Sequence, residues 1–180
     1  MANPATLYRF RIDLSDVDRN VYETLDFRVA MHPSESLPFL MTRVLAFALN
    51  IREGLEFNPA GLSDSDEPCL RALSLTGVCE LWIEIGNPSA RKLHRAAKAA
   101  AMVKVYTYKD PIAMLRELQS TPIHRSSEIE LFSFEMAFLK SLGETLKRDN
   151  SWGLLLNDGV LSVTPQNQET VATQIHVHKI

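Results

Sequence analysis

Two carboxylates in the middle of the chain have types and positions that suit metal chemistry. Glu84 lies between Ile83 and Ile85 in the most apolar strand-like segment, where an unpaired charge is costly. Asp66 precedes it by eighteen residues, in a loop or short strand that can lie alongside. Two converging carboxylates suit Mg²⁺, which prefers oxygen ligands and keeps several waters. The alternative is structural: Glu84 pairs with a basic residue such as Arg91, and Asp66 caps a turn.

A third carboxylate, Glu53, falls at the end of the helix predicted over residues 37–53. At a helix C-terminus its charge opposes the helix dipole, by a few tenths of a kcal/mol up to about 1 kcal/mol. An unfavourable placement of this kind indicates either a functional role or an exposed side chain.

A basic segment follows Glu84 directly. Residues 85–109 contain no Asp or Glu but six Lys and Arg residues, in a chain whose net charge is −3. On the helix predicted over 88–101, Arg91, Arg95 and Lys98 share one face. That face suits the backbone of a nucleic acid, with an affinity that falls as salt rises. The alternative is a solvated helix surface whose charges pair with acids elsewhere.

Hairpins are predicted at both ends of the chain. Alternating apolar residues predict strands over 7–14 and 21–31, joined by a polar turn. Near the C-terminus, Asp158-Gly159 is a strong two-residue turn signal between two short strands. A final strand is predicted over 171–178. We expect these terminal hairpins, residues 5–31 and 152–178, to form an additional antiparallel sheet.

The middle of the chain reads as a helix, short strands, a longer strand over 79–86, the helix over 88–101 and a strand over 102–108. A strand–helix–strand crossover of this length implies parallel strands covered by helices. The predicted fold class is therefore α/β, with a mixed sheet flanked by helices. We expect a single domain whose core covers about residues 37–134.

Composition places the chain among ordinary globular proteins. It has 180 residues, of which 46% are hydrophobic and 23% charged, so we expect order and one substantial core. Its two cysteines, Cys69 and Cys79, make no disulfide framework and fit a reduced cytoplasmic protein. The longest apolar region, residues 37–51, is too short to span a bilayer, and residues 1–6 do not resemble a signal peptide.

The chain resembles the YaeQ family of Gram-negative bacterial proteins over essentially its whole length. The matching motifs are Asp18-Arg19-Asn20, His32-Pro33-Ser34-Glu35, Asp66-Glu67-Pro68, Leu81-Trp82-Ile83-Glu84-Ile85-Gly86 and Tyr106-Thr107-Tyr108. The biochemical function of this family is not established. Its fold resembles a variant of the PD-(D/E)xK, or restriction-endonuclease-like, core.

This resemblance implies a set of metal ligands. Asp66 takes the place of the first Asp of the nuclease motif, Glu84 takes the place of its (D/E), and Glu53 resembles the carboxylate that the first core helix often contributes. In active nucleases such carboxylates bind Mg²⁺, which polarises the scissile phosphate and lowers the pKa of the attacking water.

One position departs from the nuclease motif. Two residues after Glu84, where the motif has Lys, this chain has Gly86. In some members of the superfamily the basic group lies on the following helix, which here offers Arg91 and Lys92. Because Arg stays charged, Lys92 is the better surrogate base and Arg91 the better phosphate clamp.

The sequence therefore leaves two functional hypotheses. In the first, the protein is a Mg²⁺-dependent nuclease that uses Asp66, Glu84 and Lys92, with the basic helix following the nucleic-acid backbone. In the second, it is a non-catalytic nuclease-like scaffold that binds nucleic acid or protein as a regulator. Glu84 is then held in an ion pair by Arg91 or Lys92.

Overall fold

The computed structural model describes residues 5–58 and 66–180. The chain divides into two compact units. The first contains the residues up to Leu49 together with Phe134–His176, and the second contains Asn50–Ser133 together with Val177–Ile180. The predicted loop residues Ser63, Asp64 and Ser65 lie outside the described residues.

The first unit is built on a five-stranded sheet. Its strands are β1 (Thr6–Asp16), β2 (Val21–Met31), β8 (Asp149–Asn157), β9 (Val160–Pro165) and β10 (Val171–Gln174), in the order β10-β9-β8-β1-β2. Both predicted hairpins form as antiparallel pairs. The expectation of a purely antiparallel sheet is wrong, because β1 pairs with β8 in parallel. A local pattern predicts each hairpin, but it carries no signal for how two hairpins pair with each other.

Two helices cover the inner face of this sheet, α1 (Leu37–Leu49) and α4 (Met136–Glu144). The ten residues from Leu40 to Leu49 are all buried. Among them is Arg43, whose Nη2 lies 3.1 Å from a carboxylate oxygen of the buried Glu35. The prediction that this helix runs to residue 53 is wrong, because it ends at Leu49 and Glu53 lies in the turn that follows.

The second unit is built on a six-stranded mixed sheet. Its strands are β3 (Leu55–Phe57), β4 (Leu70–Leu73), β5 (Cys79–Ile85), β6 (Met102–Thr107), β7 (Glu130–Ser133) and β11 (His176–His178), in the order β11-β7-β6-β5-β4-β3. Strands β5, β6 and β7 are parallel, as the crossover pattern predicts, and β3 and β4 add to them antiparallel.

Two helices pack on one face of the second sheet, α2 (Ala90–Ala99) and α3 (Pro111–Ser120). The side chain of Ser89 caps α2 by accepting a hydrogen bond from the backbone N–H of Lys92. The buried stripe of α2 is Leu93, Ala96 and Ala97, and these small residues let the helix lie close to the sheet. In the part of the chain that the structure describes, no helix has the length and apolar character needed to cross a membrane.

Candidate functional site

Glu84 lies on the central strand β5, on the sheet face that α2 covers. Alternation along the strand places it on the same face as Trp82, which packs against the alanines of α2. Its side chain is 3% exposed. Both carboxylate oxygens are engaged: Trp82 Nε1 donates to Oε1 at 2.7 Å, and Lys92 Nζ lies 2.9 Å from Oε2. The Cys69 thiol, 3.8 Å from Oε2, is a weaker third neighbour.

Lys92 reaches Glu84 from the first turn of α2. Of the two basic residues expected to approach this carboxylate, the structure brings in Lys92, while Arg91 is exposed. The Lys92 side chain is 22% exposed, so its ammonium also contacts solvent. The pair thus joins a buried carboxylate to a cation at the surface.

The pKa of Glu84 lies above its ordinary value because burial disfavours the charged carboxylate. The Lys92 ammonium and the hydrogen bonds from Lys92, Trp82 and Cys69 act in the opposite direction and offset only part of that cost. A buried acid with a raised pKa beside a specific charged partner is typical of functional sites, although structural ion pairs also produce it.

Asp66 is held against the same helix. Its Oδ2 lies 3.0 Å from Nη1 of Arg95, and the two side chains are 66% and 51% exposed. An exposed pair of this kind contributes little to stability. Lys92 and Arg95 are three residues apart on α2, a spacing that makes them neighbours on one side of the helix. Asp66 and Glu84 therefore pair with neighbouring basic residues of α2, and their convergence on one metal ion stays a prediction.

Glu53 lies elsewhere. It borders a cavity of about 520 Å³ lined by Gly54, Leu73, Ser74, Leu75, Thr76 and Glu80. Within residues 5–58 and 66–180, no three His, Cys, Asp or Glu side chains gather as a set that could hold a metal ion. The structure thus brings together Asp66, Glu84 and Lys92 around α2 and does not add Glu53 to them.

The backbone at position 86, where the sequence comparison with the nuclease motif expects Lys, favours glycine. Gly86 has φ +87°, a left-handed conformation that L side chains rarely adopt, and it ends the strand. A Cβ at this position would meet no atom within 4 Å, so backbone conformation rather than crowding favours glycine. A lysine there would be strained, whereas Lys92 supplies an ammonium from the next helix.

The outer side of α2 carries the remaining predicted basic residues. Arg91, Arg95 and Lys98 are all exposed. Arg95 is paired with Asp66, while Arg91 and Lys98 have no ion-pair partner among the described residues. The helix therefore presents at least two unneutralised cations beside the Glu84–Lys92 pair.

Two residues that support the site were missed by sequence reasoning. Trp82 belongs to a motif of the family resemblance but is assigned no role there, although period-two alternation places its indole on the same face as Glu84. Arg125 caps the C-terminus of α2, where its Nη2 donates to the carbonyl oxygens of Ala97 at 2.5 Å and Ala100 at 2.7 Å. No local signal links Arg125 to a helix 25 residues earlier in the chain.

Fold and site together define an α/β protein in which a basic helix covers one buried carboxylate, Glu84, on a central strand of a mixed sheet and pairs at its surface with a second, exposed carboxylate, Asp66. The chain belongs to the YaeQ family, since the family model described as YaeQ protein matches residues 1–175. This confirms the resemblance seen in the sequence motifs.

Relatives and solved structures agree with this assignment. The YaeQ protein of Escherichia coli (strain K12) is 38% identical over 117 residues, which cover 64% of this chain and 63% of that protein. The YaeQ protein of Salmonella typhi is 30% identical over 164 residues, 89% of each chain. The crystal structure of YaeQ from Xanthomonas axonopodis pv. citri has a TM-score of 0.90 at 28% identity, covering 97% of this chain and 98% of that one. The YaeQ structure from Pseudomonas syringae has a TM-score of 0.88 at 28% identity, covering 98% and 97%.

Proposed function

We propose that the protein is a Mg²⁺-dependent phosphodiesterase of the PD-(D/E)xK type that acts on nucleic acid. The observation that carries this proposal is the Glu84–Lys92 pair, at 2.9 Å, with Asp66 attached to the next turn of the same helix. In this proposal they correspond to the two acidic residues and the basic residue of the nuclease motif, with the lysine supplied from α2 instead of the strand.

The order of elements in the second unit supports the same proposal. Three antiparallel strands, β3, β4 and β5, are followed by α2 and by β6 parallel to β5. A restriction-endonuclease-like core has this sequence of strands, helix and strand. The proposal places Glu84 near the carboxyl end of β5, the edge at which open α/β sheets usually bind ligands.

The donor set suits Mg²⁺. This ion is commonly held by one or two carboxylates together with waters and substrate phosphates, so Asp66 and Glu84 suffice without Glu53. When bound, Mg²⁺ offsets the charge of the phosphate and lowers the pKa of a nearby water. For this chain's own residues we propose three roles: Lys92 orients the water, Arg91 contacts a phosphate oxygen, and Arg95 and Lys98 follow the nucleic-acid backbone.

Thermal unfolding with and without metal tests this proposal. A ligand that binds only the folded state raises the melting temperature. We expect Mn²⁺ and Mg²⁺ to raise the melting temperature of the wild type but not of Glu84→Gln or Asp66→Asn. The matched control is Glu80→Gln, which removes an exposed carboxylate from the same strand and should keep the full metal response. Cleavage of single- and double-stranded DNA and RNA is then measured with the same proteins.

A second candidate function is a non-catalytic scaffold that binds nucleic acid as a regulator. The observation that favours it is that both oxygens of Glu84 are already engaged within the fold. It predicts no metal response in any variant, no cleavage, and binding of nucleic acid that weakens with salt and is reduced in Arg91→Ala/Lys98→Ala. Metal-dependent stabilisation that requires Glu84 would exclude this candidate.

A further inference from the structure

The two sheets differ in how their edges are protected. Three of the edge strands are short, since β10 has 4 residues and β3 and β11 have 3 each. The fourth, β2, has 11 residues and pairs with β1 in an unbroken register without a bulge. Short or bulged edges discourage pairing with another chain, and a long regular edge offers a template for it. Among the described strands, β2 is the one edge suited to strand addition.

Hydrogen bonds of β1 show which backbone groups of β2 face outward. The N–H of Arg9 donates to the carbonyl of Arg148, and its own carbonyl accepts from Asn150 Nδ2, so the Arg9 backbone faces β8. Since backbone groups alternate along a strand, the even-numbered residues of β1 face β2, where the register pairs them with odd-numbered residues. The even-numbered residues of β2 therefore direct their N–H and C=O groups away from the sheet.

The outward-facing run has a defined end. The carbonyl of Ala30 accepts a hydrogen bond from Arg43 Nη2 at 2.7 Å, so it is already used within the chain. The remaining outward-facing residues are Tyr22, Thr24, Asp26 and Arg28, and all four side chains are exposed. Leu25 is the midpoint of this run.

We propose that two copies of the chain associate by antiparallel pairing of their β2 edges, with the two-fold axis at Leu25. Tyr22 then lies opposite Arg28 of the partner subunit, and Thr24 lies opposite Asp26 of the partner subunit. Each of these pairs occurs twice by symmetry, and every open backbone group of the run is used. The two five-stranded sheets become one continuous sheet.

The side chains of β2 favour this register and a second copy as the occupant. A Tyr ring beside a guanidinium is an attractive cross-strand pair, and Thr24 opposite Asp26 of the partner subunit brings no like charges together. Moving the axis to Asp26 places two carboxylates opposite each other, which is unfavourable. Moving it to Thr24 leaves Arg28 outside the paired run. An axis at Phe27 places Asp26 opposite Arg28 of the partner subunit, but it extends the run to Ala30, whose carbonyl Arg43 already holds. The register centred on Leu25 uses all four open residues, and such self-complementarity is the requirement for an interface between identical subunits.

Sedimentation equilibrium of the wild type and of Thr24→Pro tests the proposal. The N–H of Thr24 faces outward, so proline removes a donor from the new interface and none from the β1–β2 ladder. The matched control is Thr24→Val, which also loses the hydrogen bond from Thr24 Oγ1 to Asp13 but keeps the N–H. We expect the wild type and Thr24→Val to be dimeric and Thr24→Pro to be monomeric with an unchanged circular dichroism spectrum.

Cross-linking tests the register. Residues directly opposite in a hydrogen-bonded antiparallel pair have Cα atoms about 5.5 Å apart, within the range of a disulfide. We expect Tyr22→Cys/Arg28→Cys to form covalent dimers on mild oxidation, and Tyr22→Cys alone, which controls for Cys69 and Cys79, to form few. A wild type that remains monomeric throughout a concentration series overturns the proposal. A dimer that survives Thr24→Pro and yields no cross-link overturns it as well.

Discussion

Replacing Glu84 with glutamine should stabilise the protein at neutral pH. Burying this carboxylate to 3% exposure costs several kcal/mol of lost hydration, and its raised pKa indicates that Lys92 offsets only part of that cost. Glutamine keeps the shape of the side chain and an oxygen that accepts from Trp82 Nε1, while its NH2 group then faces Lys92, which loses its acceptor and turns to solvent. Replacing both members of a buried ion pair by apolar residues often stabilises proteins by about 1–4 kcal/mol, and removing one member is costly where the other is left buried. Lys92 is 22% exposed and its ammonium already contacts water, so we expect a gain of about 1 kcal/mol, at the low end of that range.

The effect of Glu84→Gln should depend on pH in a defined direction. The folded-state pKa of Glu84 lies above its ordinary value of 4.5, so in this window the folded state holds a proton that the unfolded state has released. The wild type therefore loses stability as pH rises from about 4.5 through the raised pKa. Glutamine has no proton to lose, so the advantage of the variant is absent below this window and complete above it.

Urea denaturation across a pH series measures both effects. The free energy of unfolding is compared between wild type and Glu84→Gln at each pH, with Glu80→Gln as the control for removing a carboxylate from β5. A loss of about 3–5 kcal/mol in Glu84→Gln at pH 7 would refute the reasoning, because that is the cost of breaking a net-stabilising buried pair. The carboxylate would then serve stability, in agreement with the scaffold candidate.

Three further predictions follow from single residues. Lys92→Met should lower the free energy of unfolding at pH 7 by about 2–3 kcal/mol, because it leaves a buried carboxylate without its cation. The loss should shrink in acid as Glu84 protonates. Equal losses at pH 5 and pH 8 would contradict this. Arg125→Ala should lower the free energy of unfolding by about 1–3 kcal/mol, because two carbonyls at the end of α2 lose a charged donor. Arg125→Gly should cost less than Arg125→Ala, because φ at this position is +50°. Urea denaturation that ranks the two variants otherwise would count against the cap. Gly86→Ala should lower the free energy of unfolding by about 1–2 kcal/mol from backbone strain alone, as measured by urea denaturation. No change in this free energy would show that β5 can end in another backbone conformation.

The sequence predicts the elements that depend on local patterns. Alternation gives the β1–β2 hairpin, and Asp158-Gly159 correctly marks the turn between β8 and β9. The helix over 88–101 is confirmed as α2, with its cap at Ser89 and its small-residue stripe. In each case the signal lies within a few residues of the structure that it specifies.

Features that depend on distant residues were not predictable in this way. The apolar stripe of α1 continues to Ile51, but the helix stops at Leu49. The next residue, Asn50, donates a hydrogen bond from Nδ2 to the Tyr106 hydroxyl at 2.8 Å. The prediction that Glu53 lies at the end of this helix is therefore wrong. The parallel pairing of β1 with β8 likewise has no local signature. For the site, spacing suggests that Asp66 and Glu84 lie alongside each other, but only the fold shows that each pairs with α2 and that Lys92, not Arg91, is the partner of Glu84.

The parallel β1–β8 ladder has a consequence for synthesis on the ribosome. Arg9 and Asn150 bond to each other across 141 residues, and almost all of the second unit lies between them in the chain. The β1–β2 hairpin therefore leaves the exit tunnel long before β8 has been synthesised. Until then, the edge of β1 that pairs with β8 has no partner. Contacts of such long range slow folding and prolong exposure of an open edge. A nascent chain of this protein should thus need protection at β1 until residue 157 has emerged.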